Sequence, residues 1–333
     1  MYRLLRPLIF LLDPEKAHQL TRRALNAFGR KKAATKSQHP LELWGLTFPN
    51  RVGLAAGWDK DGECIDALFG LGFGFVEVGT VTPLPQVGNP KPRLFRLPKA
   101  SAIINRMGFN NKGVDYLVGR LQARTVPGIV GVNIGKNKET PNDSAHEDYL
   151  ICLKKVYQYA DYITINISSP NTPGLRDLHA EEQLDVLLGA LDSARDQLQQ
   201  QFKKRVPLLI KISPDFPHEG LDAFLRVTLK HHIDGVIATN TTIKREGVEG
   251  LSHADEAGGL SGQPLAKRAT DTVAEVKKIA GDRLPIIGVG GIDSVVSAHA
   301  KFTAGADLIQ LYSGLVYQGP RLISAIIKAL SLR

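Results

Sequence analysis

From residue 50 onward the sequence alternates eight short apolar runs with stretches long enough to be helices, and no other feature constrains the fold as much. The runs are 52–55, 75–78, 129–134, 162–167, 207–212, 235–239, 285–289 and 307–311. Most are β-branched and apolar on both faces, as parallel strands covered by helices are. Between them lie amphipathic stretches such as 181–202, 221–231 and 265–280. Eight consecutive βα units predict an α/β fold, a closed (β/α)8 TIM barrel rather than an open sheet. A chain of 333 residues could hold two domains, but barrels often exceed 250 residues as a single domain. The expected organisation is therefore a short N-terminal helical extension over residues 1–36 and a barrel over 37–333. Two segments interrupt the rhythm. Residues 81–105 read as a hairpin laid over the barrel mouth, and residues 240–263 as a long polar, Gly-rich loop after the sixth strand. Insertions at the C-terminal strand ends are where barrels keep their sites.

The extension carries most of the charge. Residues 1–36 hold nine basic residues (Arg3, Arg6, Lys16, Arg22, Arg23, Arg30, Lys31, Lys32, Lys36) against Asp13 and Glu15, a surplus of seven out of the chain's net +9. The body of the protein is thus close to neutral, which argues against a nucleic-acid-binding surface. Residues 2–12 interleave Arg3 and Arg6 with leucines, isoleucine and phenylalanine. Asp13 and Pro14 then read as the cap and first position of a second helix, with Ala17, Leu20, Ala24 and Phe28 on one face. Two readings stand: a helix pair capping the barrel, or an interfacial anchor whose cations meet anionic lipid headgroups. No run reaches the roughly 18 apolar residues of a membrane span, and no secretory signal is expected. Cys64 and Cys152 are too few for a disulfide framework or a Cys-rich metal site, so a reducing setting and no metal are expected.

Two glycine clusters mark the last two strands, Gly288-Val289-Gly290-Gly291-Ile292-Asp293-Ser294 and Gln310-Leu311-Tyr312-Ser313-Gly314. Glycine lets backbone approach a phosphate, a following helix supplies free N–H donors, and strands 7 and 8 form the usual barrel phosphate site. Polar residues mark the other strand ends: Lys60, Thr80, Asn133, Asn166, Lys211 and Thr239-Asn240-Thr241. Amides that both donate and accept suit a flat heterocycle such as isoalloxazine or a pyrimidine. A buried lysine at the pyrimidine end of a flavin would stabilise the anionic reduced ring.

After the fourth strand comes Asn166-Ile167-Ser168-Ser169-Pro170-Asn171-Thr172-Pro173-Gly174. No histidine is near and no Gly-x-Ser-x-Gly elbow is present, so an acyl-transfer nucleophile is poorly supported. A serine could instead serve as base toward a carbon acid if its own proton is relayed away, an effect of about 10²–10⁴-fold.

These motifs carry a resemblance that spans nearly the whole chain. Gly53-Leu54-Ala55-Ala56-Gly57-Trp58-Asp59-Lys60, Glu77-Val78-Gly79-Thr80-Val81-Thr82-Pro83, Asn105-Arg106-Met107-Gly108-Phe109-Asn110-Asn111, the Asn166–Thr172 loop and Ile287-Gly288-Val289-Gly290-Gly291-Ile292 are similar to those of dihydroorotate dehydrogenases. The soluble branch of that family places cysteine as the base. The membrane-associated branch places serine there, carries an N-terminal helical extension and passes electrons to a quinone. Ser169, the extension and the remote position of both cysteines match the second branch. The resemblance implies oxidation of dihydroorotate to orotate in pyrimidine synthesis, with FMN as hydride acceptor and Ser169 as base. It implies substrate contacts from Lys60, Asn105, Arg106, Met107, Gly108, Phe109, Asn166, Asn171, Asn240 and Thr241. FMN contacts are implied for Ala56, Gly57, Trp58, Asp59, Lys60, Thr80, Asn133, Asn166, Lys211, Thr239, Gly262, Gly290, Gly291, Tyr312 and Ser313. A quinone would enter between the two N-terminal helices past His18, Arg96 and Tyr312, with the protein peripheral on the cytoplasmic face of the cell membrane. Oligomeric state is left open, a monomer being compatible with every site. Competing readings are another FMN barrel, such as a dihydrouridine synthase or an α-hydroxy-acid oxidase, and a basic scaffold with no flavin. The first would need a tRNA-binding surface, the second an active-site histidine.

Overall fold

A computed structural model of the chain describes residues 2–29, 31–36 and 40–331, without the Arg3 side chain. Arg30 and the Arg3 side chain, counted above among the N-terminal cations, lie outside the described residues, as does the stretch 37–39 beside the expected domain boundary.

All eight apolar runs are strands: Val52–Leu54, Phe75–Val81, Ile129–Ile134, Tyr162–Asn166, Leu208–Ile212, Gly235–Ala238, Ile286–Val289 and Leu308–Leu311. Each is parallel to its neighbours, and the eighth pairs with the first, Ile309 opposite Val52, so the barrel is closed. The second strand runs on to Val81, beyond the expected 78, and carries Thr80 up to the mouth. Helices cover the outside. Glu181–Phe202, for example, buries Leu184, Leu187, Leu188 and Leu191, the spacing of one helical face.

A hairpin that the sequence reading did not anticipate closes the bottom of the barrel. Leu41–Leu43 and Leu46–Phe48 pair antiparallel around a turn at Trp44 and Gly45. Phe48 is fully buried with its ring edge-on to Phe75, and the Trp44 indole donates to the Asp234 carbonyl at 2.7 Å. Inside the barrel, Phe75, Ile129, Tyr162, Leu209, Ile237, Ile287 and Leu308 fill the lower half. Polar side chains are therefore gathered at the opposite end.

There the two insertions merge. Leu94–Leu97 and Ala102–Asn105 form the expected hairpin, and Gly259–Gly262, within what the sequence reading took as loop, adds a third antiparallel strand. Phe95, Leu97, Ile104, Val248, Ala254 and Leu260 give this mouth sheet its own small core.

The extension is two helices, Tyr2–Leu11 and Pro14–Phe28. The Asp13 carboxylate accepts from the Lys16 N–H at 2.9 Å, the expected cap. The first helix lies on the C-terminal part of the barrel: Arg6 donates to the Tyr317 carbonyl at 2.8 Å, and Phe10 meets the Tyr317 ring edge-on. In the second helix the expected apolar face is not the buried one. Ala17 is buried, whereas Leu20, Ala24 and Phe28 face solvent and Leu25 packs inward. Among the described residues no helix is long and apolar enough to cross a membrane.

Candidate active site

The barrel mouth opens into a cavity whose walls fall into two halves. Ser261, Gly262, Gly290, Gly291, Tyr312 and Ser313 line one, around the ends of strands 7 and 8. Gly290 and Gly291 have φ of 110° and 72°, and a Cβ on Gly291 would lie 2.3 Å from the Ala266 Cα, so the loop closes only with glycine. Ser261 and Ser313 hydroxyls are 2.8 Å apart and exposed to this half. Ser294, by contrast, is committed to a reciprocal cap with Ser297 on the helix Val295–Thr303.

The other half holds Ser169 with Asn105, Asn166, Asn171, Asn240, Thr241 and the Met107–Gly108–Phe109 segment. Ser169 is buried, and its Oγ accepts from the Asn171 N–H at 3.2 Å. The Asn171 amide donates to Asn105 Oδ1 at 3.2 Å, and Asn240 donates to Ser168 Oγ at 3.0 Å, so the asparagines stand at fixed angles to one another.

Two lysines reach the cavity. Lys60 Nζ donates to Asn110 Oδ1 at 2.6 Å. Burial, reinforced by the Arg93 charge, brings its pKa down to about 7. Lys211, next to last in its strand, stands beside Asn166, and burial lowers its pKa too, opposed by the negative charge of Glu77.

Ala56, Gly57, Thr80 and Thr239 also line the cavity, but four of the residues implied by resemblance turn their side chains elsewhere. Asn133 sits one layer below, fully buried, donating to Glu77 Oε1 at 2.8 Å and accepting from Thr80 at 2.5 Å. The Asp59 carboxylate accepts from the Glu63 and Cys64 N–H groups and pairs with Arg22 at 3.2 Å, so it shapes the loop that carries Lys60. Trp58 packs edge-on against His18. Arg106 pairs with Glu256 at 2.7 Å and lies over the Phe95 ring, which holds the mouth sheet to its loop. The sequence reading missed Glu77, Tyr162 and Gln310, which form a buried polar knot under the cavity. A carboxylate at the centre of a doubly covered strand was the available signal.

A second, largely apolar cavity lies under the N-terminal helices, lined by Phe10, Pro14, Ala17, Trp58, Arg96 and Leu315 among others. Arg96 donates to the Ile9, Phe10 and Leu12 carbonyls and lies over the Phe10 ring, so it clamps the end of the first helix while facing this cavity. His18, Leu94 and Tyr312 line both cavities and form the partition between them. Burial depresses the His18 pKa to about 4 and raises that of Tyr312 to about 12, so both are neutral at ordinary pH. Among the described residues no cluster of His, Cys, Asp or Glu could hold a metal ion.

The family model for dihydroorotate dehydrogenase matches residues 40–333. The chain belongs to the dihydroorotate dehydrogenase family. A relative from Nitrosospira multiformis is 56% identical, over 99% of this chain and 96% of its own length, and is named dihydroorotate dehydrogenase (quinone). Relatives of the same name from Aliivibrio salmonicida and Yersinia pseudotuberculosis are each 54% identical over 98% of this chain and at least 98% of theirs. Among solved structures, ligand-free DHODH from Eimeria tenella superposes with a TM-score of 0.88 at 38% identity, covering 96% of this chain and 94% of that one. DHODH of the same organism in complex with ferulenol gives a TM-score of 0.87 at 38% identity, over 96% of this chain and 90% of its own. As members of this family on the quinone-dependent branch, the barrel and its N-terminal helices are one enzyme.

Proposed function

We propose that this dihydroorotate dehydrogenase oxidises dihydroorotate to orotate on FMN and returns the electrons to a quinone. The observation that carries the reading is the partition of His18, Leu94 and Tyr312, with a polar pocket containing Ser169 on one side and an apolar pocket on the other. The donor set suits the cofactor. The glycine cradle and the Ser261–Ser313 pair fit a phosphate, Lys211 and Asn166 an electron-poor pyrimidine edge, and a buried amide oxygen of Gln310 still lacks a donor among the described residues. When bound, FMN supplies the hydride acceptor.

Ser169 Oγ would take the proton from C5 of dihydroorotate as its own hydroxyl proton is relayed away toward solvent, and bound FMN would supply the acceptor for the C6 hydride, so that two hydrogens leave and the ring double bond of orotate remains. The asparagines fix the ring amides, and Lys60, as an ammonium, faces the carboxylate. Arg106 and Asp59 act through backbone position rather than direct contact, and Asn133 by orienting Thr80 and Asn166. Residues 1–36 form the quinone-access segment, the barrel over 37–333 the flavin-binding unit. The apolar cavity suits a quinone ring and the start of its tail, with His18, Arg96 and Tyr312 as its polar wall. The exposed leucines of the first helix suit a peripheral seat on the cytoplasmic face of the membrane. The test is anaerobic bleaching of the flavin by dihydroorotate, followed by reoxidation with a quinone, fumarate or NAD. Reoxidation by fumarate or NAD but not quinone would overturn the acceptor, and no bleaching would overturn the substrate.

A further inference from the structure

Glu77 lies at the centre of the second barrel strand, fully buried, and can only accept. Three groups donate to it: Asn133 Nδ2 at 2.8 Å, the Tyr162 hydroxyl at 3.0 Å and Gln310 Nε2 at 2.7 Å. Because a carboxylate offers no hydrogen, each amide is forced to present its nitrogen to Glu77 and its oxygen to the other side. For Asn133 that oxygen is met at once, accepting from Thr80 at 2.5 Å and Asn166 at 3.1 Å. For Gln310 it is not. Gln310 is 1% exposed, it lines the active-site cavity, and its Oε1 has no donor among the described residues. A buried carbonyl oxygen without a donor is disfavoured, and such atoms mark places where a partner belongs.

The position of Gln310 selects the partner. Its strand neighbours are Val289 on the seventh strand and Gly53 on the first. Gly290 and Gly291 follow the first of these directly, and Tyr312 and Ser313 follow Gln310 itself. Lys211, at the pyrimidine edge, is on the fifth strand across the barrel. Gln310 therefore stands beneath the span between the phosphate cradle and the ring, where a flavin mononucleotide carries its polyol. We propose that Gln310 is a cofactor-positioning residue whose amide oxygen accepts a hydrogen bond from a ribityl hydroxyl, held in that orientation by Glu77. This rests on the FMN reading above.

The test is flavin affinity rather than turnover. The full chain, stripped of flavin, is titrated with FMN and with the three FMN analogues that each lack one ribityl hydroxyl, following quenching of flavin fluorescence. The wild type is expected to bind one analogue roughly tenfold more weakly than FMN, the size of one neutral hydrogen bond. Gln310→Met should bind FMN roughly tenfold more weakly and lose nothing further with that same analogue. Equal weakening toward FMN and all three analogues, or undiminished FMN affinity, overturns the role of Gln310. A wild-type chain that binds no FMN at all overturns the flavin reading instead. If Gln310→Met does not fold, Glu77→Gln carries the same cycle. An amide in place of the carboxylate lets Gln310 turn over, so discrimination against the analogue should fall, and full discrimination overturns the proposal.

Discussion

Glu15 on the second N-terminal helix and Arg93 at the entrance to the mouth sheet form a two-point ion pair, Oε1 to Nη2 at 2.8 Å and Oε2 to Nε at 3.1 Å, both nearly buried. Arg93 also donates to the Val87 and Asn89 carbonyls, and Asn89 in turn donates to the Arg106 and Asn171 carbonyls. The helix beside the apolar cavity is thus joined through Arg93 and Asn89 to the loop that carries Ser169. Glu15→Ala leaves the guanidinium short of its counter-charge but keeps its bonds to two carbonyls. The expected loss is on the order of 2–4 kcal/mol of stability, at the lower side of the cost of breaking a buried pair. Thermal unfolding of the FMN-loaded variant checks it, and an unchanged Tm would assign the pair no structural weight.

Ser169→Ala removes one oxygen from a loop whose shape is held by Pro170, Pro173 and the Asn171–Asn105 bond, so the cavity and its flavin should survive. Flavin reduction by dihydroorotate should slow by about 10²–10⁴-fold, the range for losing a general base. Stopped-flow bleaching measures it directly. A normal rate in a variant that still binds FMN would rule out Ser169 as the base.

Lys60 gives a pH signature. Burial sets its pKa to about 7 in the free site, so it is an ammonium below that pH and neutral above it. A carboxylate bound beside it favours the charged form, so binding above pH 7 must take up a proton. Orotate affinity of the FMN-loaded protein should therefore be flat below about pH 7 and fall toward tenfold per pH unit above it. Lys60→Met should bind weakly at every pH with no such slope. A wild-type profile level from pH 6 to 8.5 would show that Lys60 does not meet the substrate's charge.

The barrel was legible because parallel strands wrapped by helices must be apolar on both faces, and eight such runs leave little choice of closure. The bottom hairpin was not, since its strands are three residues each and its anchors, Phe48 against Phe75 and Trp44 on the Asp234 carbonyl, depend on partners far along the chain. Nor was the strand Gly259–Gly262, which has glycine at both ends and exists because Leu260 and its backbone complete the mouth sheet. At the site, residue types on strand ends named most of the cavity wall. Direction was hidden: whether Asn133 or Arg106 faces the cavity depends on partners far along the chain, Glu77 and Glu256, that no local pattern announces. The same holds for Leu20 and Phe28, where helical spacing marked an apolar face and the structure turned it to solvent.

That outward face makes the membrane seat testable. Leu4, Leu8 and Leu11 on the first helix are 80%, 63% and 82% exposed, and Leu20 and Phe28 on the second add to them. Of the N-terminal cations, Arg6 and Arg22 are spent on the Tyr317 carbonyl and on Asp59 and Glu63. Lys16, Arg23, Lys31, Lys32 and Lys36 remain exposed. Each is worth roughly 1 kcal/mol near an anionic surface, and each leucine side chain fully withdrawn from water about 1.5–3 kcal/mol, so the two sets would contribute on the same scale. Partition into vesicles containing anionic lipid should accordingly weaken with salt but not vanish. Leu8→Glu with Leu11→Glu should cut it by tenfold or more, because two apolar contacts become like charges against the surface. Both positions lie outside the two cavities, so turnover with a short-chain, water-soluble quinone should be unchanged. Turnover with a long-tailed quinone embedded in the vesicles should fall with the partition. If the double variant binds vesicles as the wild type does, the exposed leucines are not the membrane face and the helix pair is a cap on the barrel.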